Sequence, residues 1–375
     1  MQVRGNRLVK RLDATVGVAL NRLLSLLPSR RGNGDASPRR ILVVKLAAIG
    51  DGILLVPSLR ALRRKFPKAR IDFLGTSFTV PVVRMFPEYV DECMTIEVGR
   101  WRLVRTLRER RYDAAVDFEQ WTRVTPILLA LARIPLRAGF ESEGQRRHHS
   151  FTRTVPHRPD AHEVENFGSL AAILTGERTE TTLELRVESG ALAGVRATVS
   201  ERGWDGKTPL IVIHPGCGTH GYPRQWPPER YRELAERLAA IHAAFVVVSG
   251  TPEEASAVHA VANSLPVPSC VFFIERFENF VALVSLASLV VSGNNGAMHA
   301  AAALKTPQVV VNGPIDSRRW GPFSPNARVV ESTCPGCPST HLGFEYHRTD
   351  GYCMAQIGVD EVLAACQGLL AQGAR

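Results

Sequence analysis

The sequence predicts an α/β protein of two parallel-sheet domains facing a central cleft. Three observations carry this. The chain has 375 residues, too many for one ordinary domain and suited to two. From Ile41 onward, short apolar runs alternate with helix-period patterns, as in a parallel sheet covered on both faces. The alternation lapses in the polar stretch 177–207 and then restarts, so two similar, Rossmann-like units are expected, without a close internal repeat. A 45% hydrophobic and 22% charged composition is that of a globular protein. No apolar run reaches the roughly 18 residues that suggest a membrane span.

The elements follow in order. Residues 1–40 carry nine cations against Asp13 and Asp35, so +7 of the net +10 charge sits in this tail. A general nucleic-acid binder more often carries its charge on the folded body, so no nucleic acid is expected as partner. Leu8, Leu12, Val16, Leu20, Leu23 and Leu27 recur every three or four residues and line one helix face. Such a basic amphipathic helix can lie on an anionic membrane surface. It can equally pack on the protein body or on a second subunit. Asp13 and Asn21 interrupt the apolar stretch, which fits a signal peptide poorly. Residues 30–40 form a linker, so 1–39 is an extension.

In the first domain, 41–44, 71–74, 95–98 and 112–118 are expected strands. Leu55, Leu59, Leu62 and Phe66 mark a helix face, and 101–111, 125–133 and 167–174 are helical. In the second, 210–213, 245–248, 289–291 and 308–311 are strands. Residues 228–241, 252–265, 280–287 and 298–304 are helices. The domains run 40–190 and 191–345, with a C-terminal segment and helix over 346–375.

Ligands of such sheets bind beyond the carboxyl ends of the strands, so the loops there hold the candidates. The first loop, Lys45 to Gly52, has Gly50 and Gly52 for close backbone approach. Its Asp51 suits either an N-cap or a general base. A full G-x-G-x-x-G is missing, which weakens a dinucleotide reading. The second loop, His214 to Trp226, bares its backbone at Gly216, offers the Thr219 hydroxyl and adds the Arg224 cation, a set suited to a pyrophosphate. A third loop places Glu253 and Glu254 after a strand. An acidic residue there can hold a ribose diol, or the pair can be helix first-turn charges. In the fourth, Ser292 to His299, small residues lead into an alanine-rich helix whose N-terminus favours an anion. Asn294, Asn295, Gly296, Met298 and His299 are its candidate donor contacts.

Taken together, residues 45–57, 215–226 and 292–307 resemble the three signatures of glycosyltransferase family 9, the lipopolysaccharide heptosyltransferases. The resemblance spans roughly residues 40–365 and implies a GT-B fold. It implies an inverting transfer of heptose from ADP-heptose to a lipopolysaccharide-core acceptor, with no cofactor or metal needed for catalysis. Asp51 matches the family's base, and Arg224 its phosphate-contacting cation. The first domain would take the acceptor and the second the nucleotide sugar. The family carries Asp-Thr-Gly where this chain has Asn294-Asn295-Gly296, a change that removes a charge near the donor sugar. Another nucleotide sugar, or a non-catalytic relative that binds one, are the alternatives. A nicotinamide-dependent oxidoreductase is disfavoured by the missing glycine fingerprint. A lipid-linked glycan acceptor implies a cytoplasmic protein, peripheral at the inner face of the inner membrane.

The cysteine count of seven is odd, and Cys93, Cys217 and Cys270 are scattered over apolar or loop positions, a pattern that fits a reducing compartment. Cys334, Cys337 and Cys353 form a C-x-x-C with a third thiol, a spacing that suits a structural metal. Cys366, His341 or His347 could add a ligand, and Cys366 could equally be core.

Overall fold

The computed structural model describes residues 7–25, 37–96, 102–218, 224–263, 265–338 and 350–373. The chain divides into two compact units, Met1–Thr182 and Leu183–Arg375.

The first unit runs α1 (Arg7–Ser25), β1 (Arg40–Val44), α2 (Ile49–Lys65), β2 (Arg70–Gly75), α3 (Val80–Arg84), β3 (Glu92–Thr95) and α4 (Arg102–Arg110). It continues with β4 (Ala114–Asp117), α5 (Val124–Leu131), β5 (Leu136–Glu141), β6 (Arg153–Pro156) and α6 (Glu163–Thr175). Its strands form one sheet in the order β3-β2-β1-β4-β5-β6. Every pair is parallel, with Ile41 of β1 opposite Ile71 on one side and Ala114 on the other. The central strand is apolar at Ile41, Leu42, Val43 and Val44, all fully buried. That is what burial of both sheet faces requires.

The second unit runs α7 (Ser189–Glu201), β7 (Leu210–His214), α8 (Pro228–His242), β8 (Phe245–Gly250), α9 (Ala255–Ala262), β9 (Ser269–Phe273), α10 (Phe277–Leu286) and β10 (Leu289–Gly293). Then come α11 (Gly296–Leu304), β11 (Gln308–Asn312), α12 (Ser317–Trp320), β12 (Ala327–Glu331), α13 (Tyr352–Ala355) and α14 (Val359–Gly373). The sheet order β12-β11-β10-β7-β8-β9, again all parallel, repeats the first topology. One core cluster joins Ile211, Val246, Val291 and Val309 to Trp226 and Tyr231 of the α8 side and to Leu363 and Cys366 of α14.

Several elements depart from the sequence expectations. The third strand lies at Glu92–Thr95, where its register with β2 runs from Asp72–Glu92 to Gly75–Thr95, and of the expected span 95–98, residues 97 and 98 lie outside the described residues. Strand β5 escapes a periodicity search because Arg137 sits inside it. That arginine is buried and satisfied, donating from Nε to the Ser150 carbonyl at 2.7 Å. Strands β6 and β12 are short, half-exposed edges. The polar stretch 177–207 contains helix α7, whose two glycines and weak apolar stripe conceal it.

Helix α1 packs on the first unit through its small and polar face. Asp13 accepts from the Arg123 backbone N–H at 3.0 Å and pairs with the Arg123 guanidinium at 2.9 Å. Asn21 is buried and donates to the Gly17 and Arg123 carbonyls. Asp13, Gly17 and Asn21 are spaced by four, so they share one side of the helix. The apolar residues expected to face a partner, Val16, Leu20 and Leu23, are exposed. No described helix is long and apolar enough to cross a membrane.

Candidate functional site

In each sheet the strand order reverses between the first and fourth strands of the unit, β1/β4 and β7/β10. Doubly wound sheets open their ligand crevice at that reversal, beyond the carboxyl ends. Most of the polar candidates lie on the loops leaving these four strands, and Glu253 and Glu254 follow the neighbouring strand β8.

In the first unit, Asp51 is not an N-cap. It is the third residue of α2, after the extended cap Ala48. Its Oδ2 accepts from the Ala48 N–H at 3.1 Å, which closes the chain-reversing half of a capping box. Ala48 has no side-chain acceptor, so the other half is not made. The same oxygen lies 3.1 Å from Lys45 Nζ, at the end of β1. Lys45 is buried, and its ammonium also meets Glu119 Oε1 at 3.0 Å and Gln120 Oε1 at 2.9 Å, both just past β4. Glu119 accepts in addition from the Leu46 and Ala47 N–H groups at 2.8 and 3.2 Å. Burial works against ionisation of Glu119. The Lys45 charge and these donors outweigh it and hold the carboxyl below its ordinary range. Gln120 then donates to Glu163, which meets His157 Nε2 at 3.1 Å.

In the second unit, Arg224 is pinned as a fork. Its Nη1 donates to the Asn294 carbonyl at 2.9 Å and its Nη2 to the Cys217 carbonyl at 3.1 Å. These bonds use two of the five N–H donors of a guanidinium. Asn295 is the N-cap of α11, accepting from the Ala297 N–H at 2.9 Å, and its amide donates to the Gly216 carbonyl at 2.7 Å. The fourth loop is thereby tied to the second. Glu254 closes the arrangement. It accepts from the Gly218 N–H at 2.7 Å and the Thr251 N–H at 3.0 Å, and lies 3.9 Å from His214. Gly216 is required here, since a Cβ would stand 2.6 Å from the Glu254 Oε2. Burial pushes the His214 ring down, with Glu254 pulling the other way, so the ring is neutral at neutral pH. Burial also pushes the Cys217 thiol up to about 11, which removes it as a nucleophile.

The strand ends thus offer a positioned carboxylate in one unit and, in the other, glycine-bearing loops tied together around a guanidinium. The family model for glycosyltransferase family 9 (heptosyltransferase) matches residues 100–343. The chain belongs to that family. The Asp51 loop precedes the matched residues. The chain is 28% identical to lipopolysaccharide heptosyltransferase 2 of Salmonella typhimurium over 316 residues, 78% of this chain and 87% of that protein. Among solved structures it resembles ADP-heptose lipopolysaccharide heptosyltransferase II of Escherichia coli, with 25% identity and a TM-score of 0.70. That match covers 90% of this chain and all of the other. A family-9 glycosyltransferase of Veillonella parvula superposes with a TM-score of 0.73 at 20% identity, over 89% and 97% of the two chains. The GT-B architecture of two parallel α/β domains is therefore that of this glycosyltransferase.

The structure gathers Gly216, Arg224, Asn294, Asn295 and Gly296 in one unit and keeps Asp51, Gly50 and Gly52 in the other. Thr219 lies outside the described residues. Met298 and His299 are buried in the first turn of α11. Glu253 is exposed, and the acidic side chain that turns onto the second loop is its neighbour Glu254. The Asn294 amide donates to the Trp320 carbonyl at 3.2 Å, so it braces the loop. Lys45, Glu119 and Gln120 had no role in the sequence expectations. Their signal was positional, since Glu119 and Gln120 follow the fourth strand directly.

The Sγ atoms of Cys334, Cys337 and Cys353 lie within 4.8 Å of one another, with Cys353 at 3.0 and 2.6 Å from the other two. Cys334 and Cys337 are placed as a disulfide pair, Cα atoms 5.8 Å apart. Three clustered sulfurs suit a thiophilic metal, the reduced alternative to that bond. Cys366 is core, buried among the α14 side chains, and is not part of the cluster. His341 and His347 lie outside the described residues. Cys353 and Met354 press on Gly313 after β11, where a Cβ would stand 3.1 and 2.6 Å from them. The same segment accepts from Trp226 Nε1 at the Ile357 carbonyl. The cluster is thus braced against the end of β11 and against Trp226, which closes the second loop.

Proposed function

We propose that the chain is an inverting heptosyltransferase that moves heptose from ADP-heptose to a hydroxyl of a lipopolysaccharide-core acceptor. The observation that carries this reading is the placement of a base-type carboxylate and of an anion cradle at the two strand-order reversals of a family-9 glycosyltransferase. Its relatives' names supply the donor and acceptor class.

In this reading Asp51 takes the proton of the acceptor hydroxyl as that oxygen attacks the anomeric carbon. The bond to the ADP β-phosphate oxygen breaks, and the products are the glycoside, ADP and a proton. Negative charge grows on the departing phosphate, where the Arg224 fork and the N-terminus of α11 stabilise it. Catalysis then needs no metal. Glu254, in place of Glu253, is the acidic group for the ribose hydroxyls. Cys334, Cys337 and Cys353 hold a structural metal that braces the donor-binding unit. The exposed α1 stripe and the basic tail bring the enzyme to the anionic inner face of the inner membrane, where a lipid-linked acceptor resides.

The test is transfer itself. ADP-heptose and a heptose-deficient core acceptor are incubated with the full chain and the product is read by mass spectrometry. An acceptor gaining one heptose, with one ADP released, supports the reading. ADP release without a new glycoside, or transfer only from other nucleotide sugars, overturns it. Asp51→Asn is expected to cut turnover by ~10²–10⁴-fold with ADP binding retained.

A further inference from the structure

We propose that Lys45 and Glu119 act as positioning residues for Asp51, the cation fixing the carboxylate and the anion cancelling the cation's pull on it. The inference rests on Asp51 being the base.

The geometry is that of a closed charge set. Lys45 Nζ has three donors, and three acceptors stand at 2.9–3.1 Å: Asp51 Oδ2, Glu119 Oε1 and Gln120 Oε1. Each acceptor is itself held. Asp51 is fixed by the Ala48 N–H and Glu119 by those of Leu46 and Ala47. Gln120 is oriented by its bond to Glu163, so its oxygen faces the ammonium. Lys45, Glu119 and Gln120 are essentially inaccessible, and Asp51 is 9% exposed. The set therefore touches solvent, and a substrate, only at Asp51. Both described bonds to that carboxylate fall on Oδ2, which leaves Oδ1 to meet a hydroxyl.

The charges explain why a base would need two partners. A lone ammonium at 3.1 Å in a buried site would hold a proton off Asp51 so strongly that it would be a poor base. Glu119, 3.0 Å from the same nitrogen, offsets that field. Its own ionisation is secured by Lys45 and two backbone donors, which outweigh its burial. The other charged or titratable groups on neighbouring elements include the buried Asp117–Arg147 pair, which meets the Glu119 backbone through the Asp117 carboxylate and the Arg147 guanidinium, together with Glu163 and Glu165 of α6, His157 and His162 beside them, and Arg84 of α3. Of these, Glu163 reaches the side chains of the set, through Gln120.

The consequence is a pair of opposite shifts. Glu119→Gln leaves Lys45 uncompensated, and the acidic limb of the kcat/KM–pH profile is expected about 1 pH unit lower, with a reduced plateau. Lys45→Met leaves Asp51 facing Glu119 with no cation, and the limb is expected about 1 pH unit higher. Lys45→Arg, which keeps the charge, should return the limb towards the wild-type position. A merely structural role would lower activity or the melting temperature without moving the limb in opposite directions. Limbs that stay put, or that move the same way, overturn the proposal. If Lys45→Met does not fold, Glu119→Gln decides alone, and an unmoved limb sinks the idea. Asp51→Asn measured alongside separates the two claims. If that variant keeps both turnover and the acidic limb, the assignment of the base has failed rather than its tuning.

Discussion

Gly216→Ala puts one methyl group where the structure has no room for it. The new Cβ would stand 2.6 Å from Glu254 Oε2 and closer still to Oε1. A carboxylate at the end of a flexible side chain can usually swing away at little cost. This one is held by the Gly218 and Thr251 N–H groups at 2.7 and 3.0 Å. Hydrogen bonds to charged groups contribute about 1.5–3 kcal/mol each. Glu254 retains some solvent access, so water recovers part of the loss and about 2–3 kcal/mol remains. The loop it orders carries the proposed phosphate site, so ADP affinity should fall about 30–150-fold, at 1.4 kcal/mol per tenfold. Calorimetric titration with ADP measures this, and a double-mutant cycle assigns the cause. Glu254→Ala should weaken binding to a similar degree, and Gly216→Ala should cost little more once Glu254 is gone. Wild-type affinity in Gly216→Ala would refute the reasoning. So would a full additional loss in the Glu254→Ala background, since the obstacle would then lie elsewhere.

The remaining expectations concern pH, metal and membrane. The buried His214 ring has a folded pKa below its ordinary 6.5, so it takes up fewer protons than the unfolded chain. Its stabilisation is fully present above about pH 6.5 and is lost as pH falls from there through the lower folded pKa. His214→Gln should remove that loss from a melting-temperature-against-pH series. A second loss below about pH 4.5 should remain but shrink, because the Glu254 carboxyl is held below its ordinary value against burial by His214 and backbone donors, and only the donors survive in this variant. A chelator should leave turnover unchanged on the assay timescale, and restoration of lost activity by Mg²⁺ would contradict metal-free transfer. Val16, Leu20 and Leu23 are exposed, so changing all three to Ser should leave the melting temperature within a few degrees. It should cut binding to anionic vesicles at least about tenfold, given roughly 1.5–3 kcal/mol per buried aliphatic side chain. Undiminished vesicle binding would assign membrane attachment elsewhere.

Much of the fold was legible because both central strands are buried on two faces and read as unbroken apolar runs, Ile41 to Val44 and Leu210 to Ile213. Edge strands and β5 were not, since edge position and a buried Arg137 erase the pattern. Helix α1 was legible as amphipathic, but its direction was not. Periodicity says that one face differs from the other, and it leaves the apolar face equally to a membrane surface or to packing on the body or a second subunit. Asp13 and Asn21 found specific partners on Arg123, and Gly17 let the chains approach, so the polar face went inward. At the sites, the loop glycines and the Arg224 cation of the second loop stood out in sequence. The Lys45–Glu119 pair did not, because it joins residues 74 positions apart across β1 and β4.

The two loop sets handle charge by different means, and the difference follows from what each must do. A base has to change its charge during turnover. In the proposed reaction Asp51 does so beside a cation and an anion that remain matched, so the set carries a single negative charge before the proton is taken and none after. A phosphate cradle must instead stay constant while the ligand's charge grows. The second unit uses a helix terminus, backbone donors and a guanidinium pinned by two carbonyls, none of which titrates near neutrality. The histidine at the end of β7, His214, is kept neutral by burial and acts through Ser249 and Glu254 on the loop beneath. The pH dependence of the chemistry should therefore follow variants of the first unit, and the acid lability of the fold should follow His214. Interchanged outcomes, with His214→Gln moving the kcat/KM limb and Glu119→Gln leaving it fixed, would break this division.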